Sequence, residues 1–271
     1  MDKILIAGGD ERQLYCAEAL SEKYEVYVSG HDNTSFPSPE GNVDCLVLPV
    51  IPFDAEGNIY APNSERLLIP EDIRPLLRSG AVVIAGRTDE RTAHCFSGHP
   101  IADYLSREDF CIKNAFLTAE GSVELAISAL PVSLNGLSVL IVGMGRIGCI
   151  LAELMKAFGA QVTAAVHNPK GAAKAAVMGI ASVDSADTGS DYGLVFNTVP
   201  ERIFGRQELE GFSRRTLFID LASAPGGVDI STAEELGIKV IWARGLPAKC
   251  SPETAGRIIA DAVEEILAER G

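Results

Sequence analysis

The sequence lacks several features that would place it in whole classes of protein. Basic residues are scarce: Lys and Arg number 23 against 37 Asp and Glu, and the formal net charge is -14. This balance argues against nucleic-acid binding, and any anion site must be built locally from a few Arg, Lys or N–H groups. The six cysteines form no C-x-x-C pair, so we expect reduced thiols in the core and no metal site.

Long apolar segments are also absent. No stretch approaches the length of a membrane helix. The first residues, MDKILIAGG, contain an acid at the second position and only a short apolar run, which is unlike a signal peptide. We therefore expect a cytoplasmic, soluble protein with no membrane partner. The 271 residues, of which 47% are hydrophobic, suit two domains that each bury a core.

Short β-branched runs alternate with helical patterns, which is typical of parallel sheets flanked by helices. The sequence predicts an α/β protein of two open, doubly wound parallel-sheet domains with an interdomain cleft, the second a Rossmann dinucleotide-binding domain. The predicted strands are 4–7, 25–28, 45–48, 82–85, 110–112, 139–142, 161–166, 194–197, 217–221 and 239–242. The predicted helices are 11–22, 70–77, 118–130, 147–158, 170–178, 231–236 and 252–270.

These elements suggest where the domains begin and end. Residues 1–117 are predicted to form a substrate domain, 118–135 a connector that contains a helix, and 136–251 the dinucleotide-binding domain. The last helix, 252–270, is a candidate brace for the first domain. The Pro- and Gly-rich segment 49–65 is predicted to be a loop.

A G-x-G-x-x-G motif follows the strand 139–142 and precedes a helical pattern. In that context the first glycine, Gly143, permits the tight turn, and Gly145 lets the backbone approach a pyrophosphate. The third, Gly148, lets the helix pack close to the strand. Arg146 and Ile147 begin the helix, whose N–H groups would face the phosphates. The sequence therefore predicts a nucleotide site here.

The end of the next strand bears on which nucleotide is bound. NAD-specific domains usually carry an Asp or Glu there, which binds the ribose 2′-hydroxyl. This strand instead ends at His167, Asn168 and Lys170, with no acid. Amide and cationic groups favour a 2′-phosphate, so we expect NADP. If this segment is only a surface turn, NAD is the alternative.

Three further loops follow strands of the second domain. They begin Asn197-Thr198-Val199-Pro200, Leu221-Ala222-Ser223 and Gly245-Leu246-Pro247. All three come at the carboxyl ends of predicted parallel strands, where open α/β sheets bind ligands. We expect these residues to contact the cofactor, with the nicotinamide ring lying near the last two loops.

In the first domain the corresponding turn reads Gly8-Gly9-Asp10-Glu11-Arg12-Gln13. Its two acids oppose pyrophosphate binding, so this domain is not expected to hold the nucleotide. One interpretation is a tight turn in which Asp10 caps the following helix. The other is a substrate site formed by Gly9, Asp10, Arg12 and Gln13. The residues alone leave both open.

Taken together, these loops resemble the dipicolinate synthase A-subunit family of spore-forming bacteria. The resemblance is carried by GGDERQ (8–13), LPV (48–50), NAFLTAEGSVELAI (114–127), GMGRIG (143–148), NTVP (197–200), DLASAPGGVD (220–229) and GLP with PETAG (245–256). It covers nearly the whole chain. The chain also resembles two-domain 2-hydroxyacid dehydrogenases in its frame, but no Arg, Glu and His set stands at their usual catalytic loops.

The resemblance implies NAD(P)-dependent oxidation of a dihydrodipicolinate-level precursor to pyridine-2,6-dicarboxylate in the mother cell during sporulation. It also implies that the flavoprotein-like B-subunit of that synthase is a partner, and we expect a homo-oligomer as well. Binding a small dicarboxylate calls for local cations, and Arg12, Arg87 and Arg244 each follow a predicted strand. Arg12 is also a candidate catalytic residue.

For the proton acceptor the candidates are Glu120, Asp220 and Asp10, each of which also suits a cap or a helix-surface charge. Two alternatives stay open. One is a different two-domain dehydrogenase acting on 2-hydroxy or amino acids. The other is a regulatory protein that binds NADP(H) without chemistry of its own.

Overall fold

Each half of the chain folds around its own parallel sheet, as the alternation of strand and helix patterns predicts. The computed structural model describes residues 2–270. One unit extends to Asn114 and includes the chain from Cys250 onward, whereas the other is Ala115–Lys249.

The first unit contains a five-stranded sheet. Its strands are β1 (Lys3–Ala7), β2 (Glu25–Ser29), β3 (Val43–Val47), β4 (Leu77–Ala85) and β5 (Ile101–Asp103). They are ordered β2-β1-β3-β4-β5, and every pair is parallel. The order reverses between β1 and β3, and open α/β sheets bind ligands at such a reversal, beyond the carboxyl ends of the strands.

The helices that begin in this unit differ greatly in length. They are α1 (Glu11–Leu20), α2 (Pro70–Ile73), α3 (Glu90–Cys95) and α4 (Glu108–Ala129), the last of which continues into the second unit. The segment 49–65 holds no helix or named strand, as predicted, but Phe53 and Leu68 each form an isolated antiparallel bridge with Ile59.

The second unit contains a six-stranded sheet. Its strands are β6 (Ser138–Val142), β7 (Gln161–Val166), β8 (Ala181–Asp184), β9 (Leu194–Asn197), β10 (Leu217–Asp220) and β11 (Lys239–Trp242). They are ordered β11-β10-β9-β6-β7-β8 and are all parallel, so the order reverses between β6 and β9. This is the strand order of dinucleotide-binding domains.

The later helices are α5 (Arg146–Ala157), α6 (Pro169–Val177), α7 (Arg206–Leu209), α8 (Ile230–Leu236), α9 (Leu246–Cys250) and α10 (Pro252–Ala268). On one face of the second sheet, the rings of Phe204, Phe212 and Phe218 pack edge to face with centroids 5.0–5.8 Å apart. Such pairs add to the stabilisation from burial of the rings.

The helix α10 returns to the first unit and packs against α1. The two helices approach closely at Gly256, where an added Cβ would lie 2.5 Å from the carbonyl oxygen of Arg12 and 3.0 Å from the amide nitrogen of Cys16. A glycine is therefore needed at this contact.

The strand predicted at 110–112 is wrong, because these residues belong to α4. The run Phe110-Cys111-Ile112 is apolar and short, but it is continuous with the helical pattern that follows. The fifth strand is Ile101–Asp103, too short to show a period. The structure also has β8, α3, α7 and α9 where none was predicted; α9 has five residues, and β8 is mostly exposed.

Most other element ends differ from expectation by a few residues, but α4 begins at Glu108 instead of 118 and β4 at Leu77 instead of 82. The helix predicted at 70–77 stops early: α2 is followed by a 3-10 turn at Arg74–Leu76, and Leu77 already belongs to β4. Pro75 lacks the N–H that would continue α-helical hydrogen bonding.

All six cysteines are free thiols, and burial raises the pKa of both Cys16 and Cys45. In the described part of the chain, no helix combines the length and the apolar character needed to cross a membrane.

Candidate functional site

The three glycines of the turn after β6 have different surroundings. Gly143 has φ +92°, and a Cβ added there would lie 2.6 Å from Thr198 Oγ1. A Cβ on Gly148 would lie 1.9 Å from the carbonyl oxygen of Gly143, so the helix packs against the turn with no room for a side chain. At Gly145, by contrast, an added Cβ meets no described atom within 4 Å. The turn is therefore open at Gly145 alone.

The helix α5 begins at this open position. Gly145 is its N-cap, and no side chain of the described residues caps it. The first-turn N–H groups of a helix have no partner within the helix, and they favour an anion at this end of the dipole. Closed packing at two glycines and open space at the third fit the pyrophosphate of a dinucleotide.

A cavity of about 290 Å³ lies beside the turn. Eight of the predicted cofactor residues line it, namely Gly143, Gly145, His167, Asn168, Lys170, Thr198, Val199 and Pro200. Met144, Val166, Gly171 and Lys174 complete the lining. None of these described lining residues is acidic, although the protein as a whole has a net charge of -14. The cavity is thus a local basic site.

The basic side of this cavity is built on the start of α6. Asn168 is the N-cap, and its Oδ1 accepts a hydrogen bond from the amide of Gly171 at 2.8 Å. Its Nδ2 lies 3.1 Å from His167 Nε2. Lys174, one helical turn beyond Lys170, donates to the carbonyl oxygen of Met144 at 2.9 Å. The cap holds these cationic and amide groups at the end of β7.

The loop after β9 has one buried residue and several that face the cavity. Thr198 Oγ1 donates to the carbonyl oxygen of Val142 at 2.8 Å, which joins the two loops. Asn197 is fully buried, and its Nδ2 donates to Asp220 Oδ1 at 2.8 Å and to the carbonyl oxygen of Val199 at 2.9 Å. Asn197 therefore joins the loop after β9 to Asp220 at the end of β10.

Asp220 is 1% exposed and its carboxylate is occupied on both oxygens. Besides Asn197, it accepts from the amides of Ala222 (3.1 Å), Gly227 (2.8 Å) and Val228 (3.2 Å). Ser223 is exposed in the same loop, and Leu221 is half-buried. A buried carboxylate with four donors is arranged to hold the loop after β10 in shape.

The loop after β11 contains Arg244, which is exposed and lies over the Trp242 ring at 5.2 Å from its centroid. Trp242 Nε1 donates to the carbonyl oxygen of Ala222 at 3.0 Å, so this ring also joins two loops. Gly245 has φ +69°, and Leu246 and Pro247 are buried where α9 begins.

The remaining predicted residues of this unit lie outside the lining of the cavity. Arg146 is exposed and Ile147 half-buried in the first turn of α5, and Glu120 is exposed on α4.

In the first unit, Asp10 caps α1 by accepting from the amide of Arg12 at 3.2 Å. The Arg12 guanidinium returns to the same carboxylate, with Nε and Nη2 each donating to one oxygen at 2.8 Å. Burial alone would lower the pKa of Arg12, but it is raised because Asp10 bonds to and attracts the cation. The guanidinium of Arg12 is thus already paired with Asp10 in the same turn. The interpretation of Asp10 as the cap of α1 is confirmed.

Two buried polar atoms beside this turn have no hydrogen-bond partner in the described part of the chain. Gln13 is 1% exposed and His31, which follows β2, is 7% exposed. Neither Gln13 Nε2 nor His31 Nδ1 has a hydrogen-bond partner among the described residues. One histidine after a strand forms no pattern, so His31 cannot be identified as a site residue from the sequence.

Arg87 stands at the carboxyl end of β4 in an unusual backbone conformation. Its φ is +48°, a region that residues other than glycine seldom adopt. The next residue is fixed, since the amide and Oγ1 of Thr88 donate to Asp103 Oδ2 at 2.8 and 3.0 Å. Arg87 is exposed, and no ion pair joins it to another of the described residues. Its side chain is available to an anion.

Comparison with known proteins agrees with this arrangement. Residues 3–104 match the family model for the N-terminal domain of the dipicolinate synthase A-subunit. The crystal structure of the dipicolinate synthase A-subunit from Bacillus halodurans is 30% identical, covers 98% of both chains, and superposes with a TM-score of 0.89.

The chain belongs to the dipicolinate synthase A-subunit family. The curated dipicolinate synthase A-subunit of Bacillus subtilis is 29% identical over 98% of this chain and 96% of the relative. Residues 117–226 match the NAD binding domain model of D-isomer specific 2-hydroxyacid dehydrogenases. D-lactate dehydrogenase from Escherichia coli, at 11% identity and a TM-score of 0.63 over 99% of this chain and 96% of that one, shares the fold.

This member of the dipicolinate synthase A-subunit family therefore combines a parallel-sheet N-terminal unit with a dehydrogenase-type NAD-binding unit. Lys174 is the residue of the nucleotide cavity that sequence reasoning should have found. It stands four residues after Lys170 on a predicted helix, and residues at that spacing share a helix face.

Proposed function

We propose that this chain is the NAD(P)-dependent component that oxidises a dihydrodipicolinate-level precursor to pyridine-2,6-dicarboxylate. The observation that carries the proposal is family membership over nearly the whole chain, together with a glycine turn whose packing suits a dinucleotide. The same resemblance supports a role in the mother cell of a sporulating bacterium, where the partner is the flavoprotein-like B-subunit.

NADP is the proposed nucleotide. The cavity beside the glycine turn contains Lys170, Lys174 and His167 and no acid among its described lining residues. The acid on the adjacent strand, Asp184, accepts from the amide of Ala186 at 2.9 Å and does not line the cavity. A 2′-phosphate would gain from this local positive charge, whereas a 2′-hydroxyl would find no carboxylate to bind.

When bound, the nicotinamide ring accepts a hydride from the substrate. The residues of the chain supply binding and orientation. The first turn of α5 would hold the pyrophosphate, and Thr198, fixed on the Val142 carbonyl, would line the ribose. Loss of a hydride to the nicotinamide and of one proton to a base or to water converts a dihydropyridine ring into an aromatic pyridine. Because the product is aromatic, positioning matters more than strong acid–base catalysis.

The substrate carboxylates are proposed to bind unpaired arginines. Arg87 has an exposed side chain on a fixed backbone, and Arg244 is held over the Trp242 ring. Arg12 is less suited as the carboxylate clamp than the sequence predicts, because Asp10 already occupies its fork. We assign Arg12 the role of fixing the turn, while the substrate contacts of Gly9, Asp10 and Gln13 stay predictions.

An absorbance assay for the reduced nicotinamide tests the proposal. The precursor is generated in situ and offered with NADP or NAD, with and without the B-subunit. Product formation coupled to nucleotide reduction supports the proposal. Reduction with 2-hydroxy acids but not with the precursor would show a different dehydrogenase.

A second candidate function is an NADP(H)-binding regulatory protein without chemistry of its own. The surroundings of the three proposed proton acceptors favour this regulatory function. Asp220 has four donors, Asp10 is paired with Arg12, and Glu120 is exposed on a helix surface. Tight NADP binding with no turnover in either arm of the assay would identify this function.

A further inference from the structure

Two polar side chains beside the turn after β1 in the first unit each keep one buried nitrogen without a hydrogen-bond partner among residues 2–270. Gln13 and His31 bracket the Gly8-Gly9 turn: His31 Nε2 lies 3.1 Å from the carbonyl oxygen of Gly8, and the Gln13 side chain covers Gly9 so closely that a Cβ there would overlap it. The turn stands at the reversal of strand order between β1 and β3, the place where open α/β sheets bind ligands.

Both side chains present an unpartnered nitrogen. Gln13 Nε2 and His31 Nδ1 are buried, and neither has a hydrogen-bond partner among the described residues. Proteins rarely keep such atoms, because a buried polar group without a partner destabilises the folded state. Two at one turn indicate that a partner outside the chain completes them.

The two nitrogens are chemically complementary. A carbonyl oxygen can only accept, so the contact with Gly8 requires the proton of His31 to be on Nε2. Burial lowers the pKa of His31 more than the Gly8 carbonyl and the carboxylates of Asp10 and Asp32 raise it, so the neutral ring is favoured. His31 Nδ1 is therefore an acceptor, and Gln13 Nε2 is a donor.

We propose that Gln13 and His31 form a subsite for a carboxylated, partly reduced nitrogen heterocycle. A ring N–H or ring hydroxyl donates to His31 Nδ1, and the neighbouring carboxylate oxygen accepts from Gln13 Nε2. The assignment of the ligand class rests on the proposed function. Because the nitrogen of an aromatic pyridine has a lone pair and no proton, the subsite binds the reduced ring in preference to the oxidised product.

The experiment uses calorimetry with two stable probes, piperidine-2,6-dicarboxylate and pyridine-2,6-dicarboxylate, in the presence of saturating NADP. The full-length chain is compared with His31→Phe and Gln13→Met, which are apolar and close in shape. Gln207→Met, at an exposed position of α7, is the matched control.

The wild type is expected to bind the reduced ring about tenfold more tightly, the effect of one hydrogen bond. His31→Phe should abolish that preference, and Gln13→Met should weaken both probes about tenfold. Gln13→Met should keep or raise the Tm, because it removes an unpartnered polar group, whereas His31→Phe also removes the donor to the Gly8 carbonyl oxygen and should lower the Tm. The control should change neither quantity.

Three results would overturn the subsite. They are no binding of either probe by the wild type, an unchanged preference in His31→Phe, or a lowered Tm in Gln13→Met, which would show that the Gln13 nitrogen serves the fold. Failure of the proposed function is distinct, since it appears as absent NADP reduction while the probe preference persists.

Discussion

The two glycines at the start of α5 should respond to substitution in opposite ways. In Gly145→Val the new side chain enters space that holds no described atom within 4 Å of its Cβ. The backbone there has φ -78° and ψ -162°, an extended conformation that valine adopts readily. We expect the free energy of unfolding to change by less than about 1 kcal/mol.

Nucleotide binding should nevertheless be lost in Gly145→Val, because the side chain occupies the place of the pyrophosphate. Displacing the phosphates from two helix N–H groups removes two charge-assisted hydrogen bonds, at roughly 1.5–3 kcal/mol each. The Kd for NADP should therefore rise by more than about a hundredfold.

Gly148→Ala is the informative counterpart. Its Cβ would lie 1.9 Å from the Gly143 carbonyl oxygen, so α5 or the turn has to move by about 1 Å to relieve the overlap. Overpacking of this kind costs about 1–3 kcal/mol, which should appear as a lower midpoint in chemical denaturation.

Calorimetric titration with NADP and urea unfolding of both variants separate the two effects. Normal nucleotide affinity in a folded Gly145→Val protein would refute the argument and make the turn purely structural. Equal stability of Gly148→Ala and the wild type would show that the close packing of α5 is wrong.

Four further substitutions test the remaining assignments. Asn168→Asp keeps the cap on the Gly171 amide and adds a negative charge, so the ratio of NADP to NAD affinity should fall roughly tenfold at unchanged Tm; an unmoved ratio would place the 2′-site elsewhere. Arg87→Ala should weaken the binding of pyridine-2,6-dicarboxylate, measured by calorimetry, by about 1.5–3 kcal/mol with little change in Tm. Arg12→Ala should mainly lower the Tm. If Arg12→Ala instead weakens binding and Arg87→Ala lowers the Tm, Arg12 binds the carboxylate. Asp220→Asn replaces an acceptor by a donor that faces backbone N–H groups. Urea unfolding should show a free energy of unfolding about 2–4 kcal/mol lower than that of the control Asp191→Asn, which lies at an exposed position. Equal stabilities would leave Asp220 open to a catalytic role.

Features set by local chemistry could be predicted from the sequence. The strand, glycine turn and helix at 139–158 form one contiguous pattern, and each glycine has the surroundings its position implies. The Asp10 cap is likewise a contact between near neighbours in the chain. Local patterns failed where one segment suits two structures, as at 110–112, where an apolar run reads equally as a strand or as part of α4.

Features that depend on the partner of a side chain could not be predicted. Arg12 looks available in the sequence, yet its fork is bound to Asp10. Asp220 follows a strand like a catalytic acid, but it is enclosed by amides from its own loop and by Asn197. The sequence places these residues at the right edges of the sheets without revealing which of them are already paired.

The return of α10 to α1 has a consequence for the order of folding during synthesis. The first unit needs the last helix of the chain, because Gly256 closes against the backbone of Arg12 and Cys16. All the strands of the second unit leave the ribosome before that helix does. The second unit can thus complete its sheet before the first unit is complete. Until α10 is synthesised, one side of α1 stays uncovered. Translation that stops just before Pro252 would yield a nucleotide-binding unit joined to an unfinished neighbour.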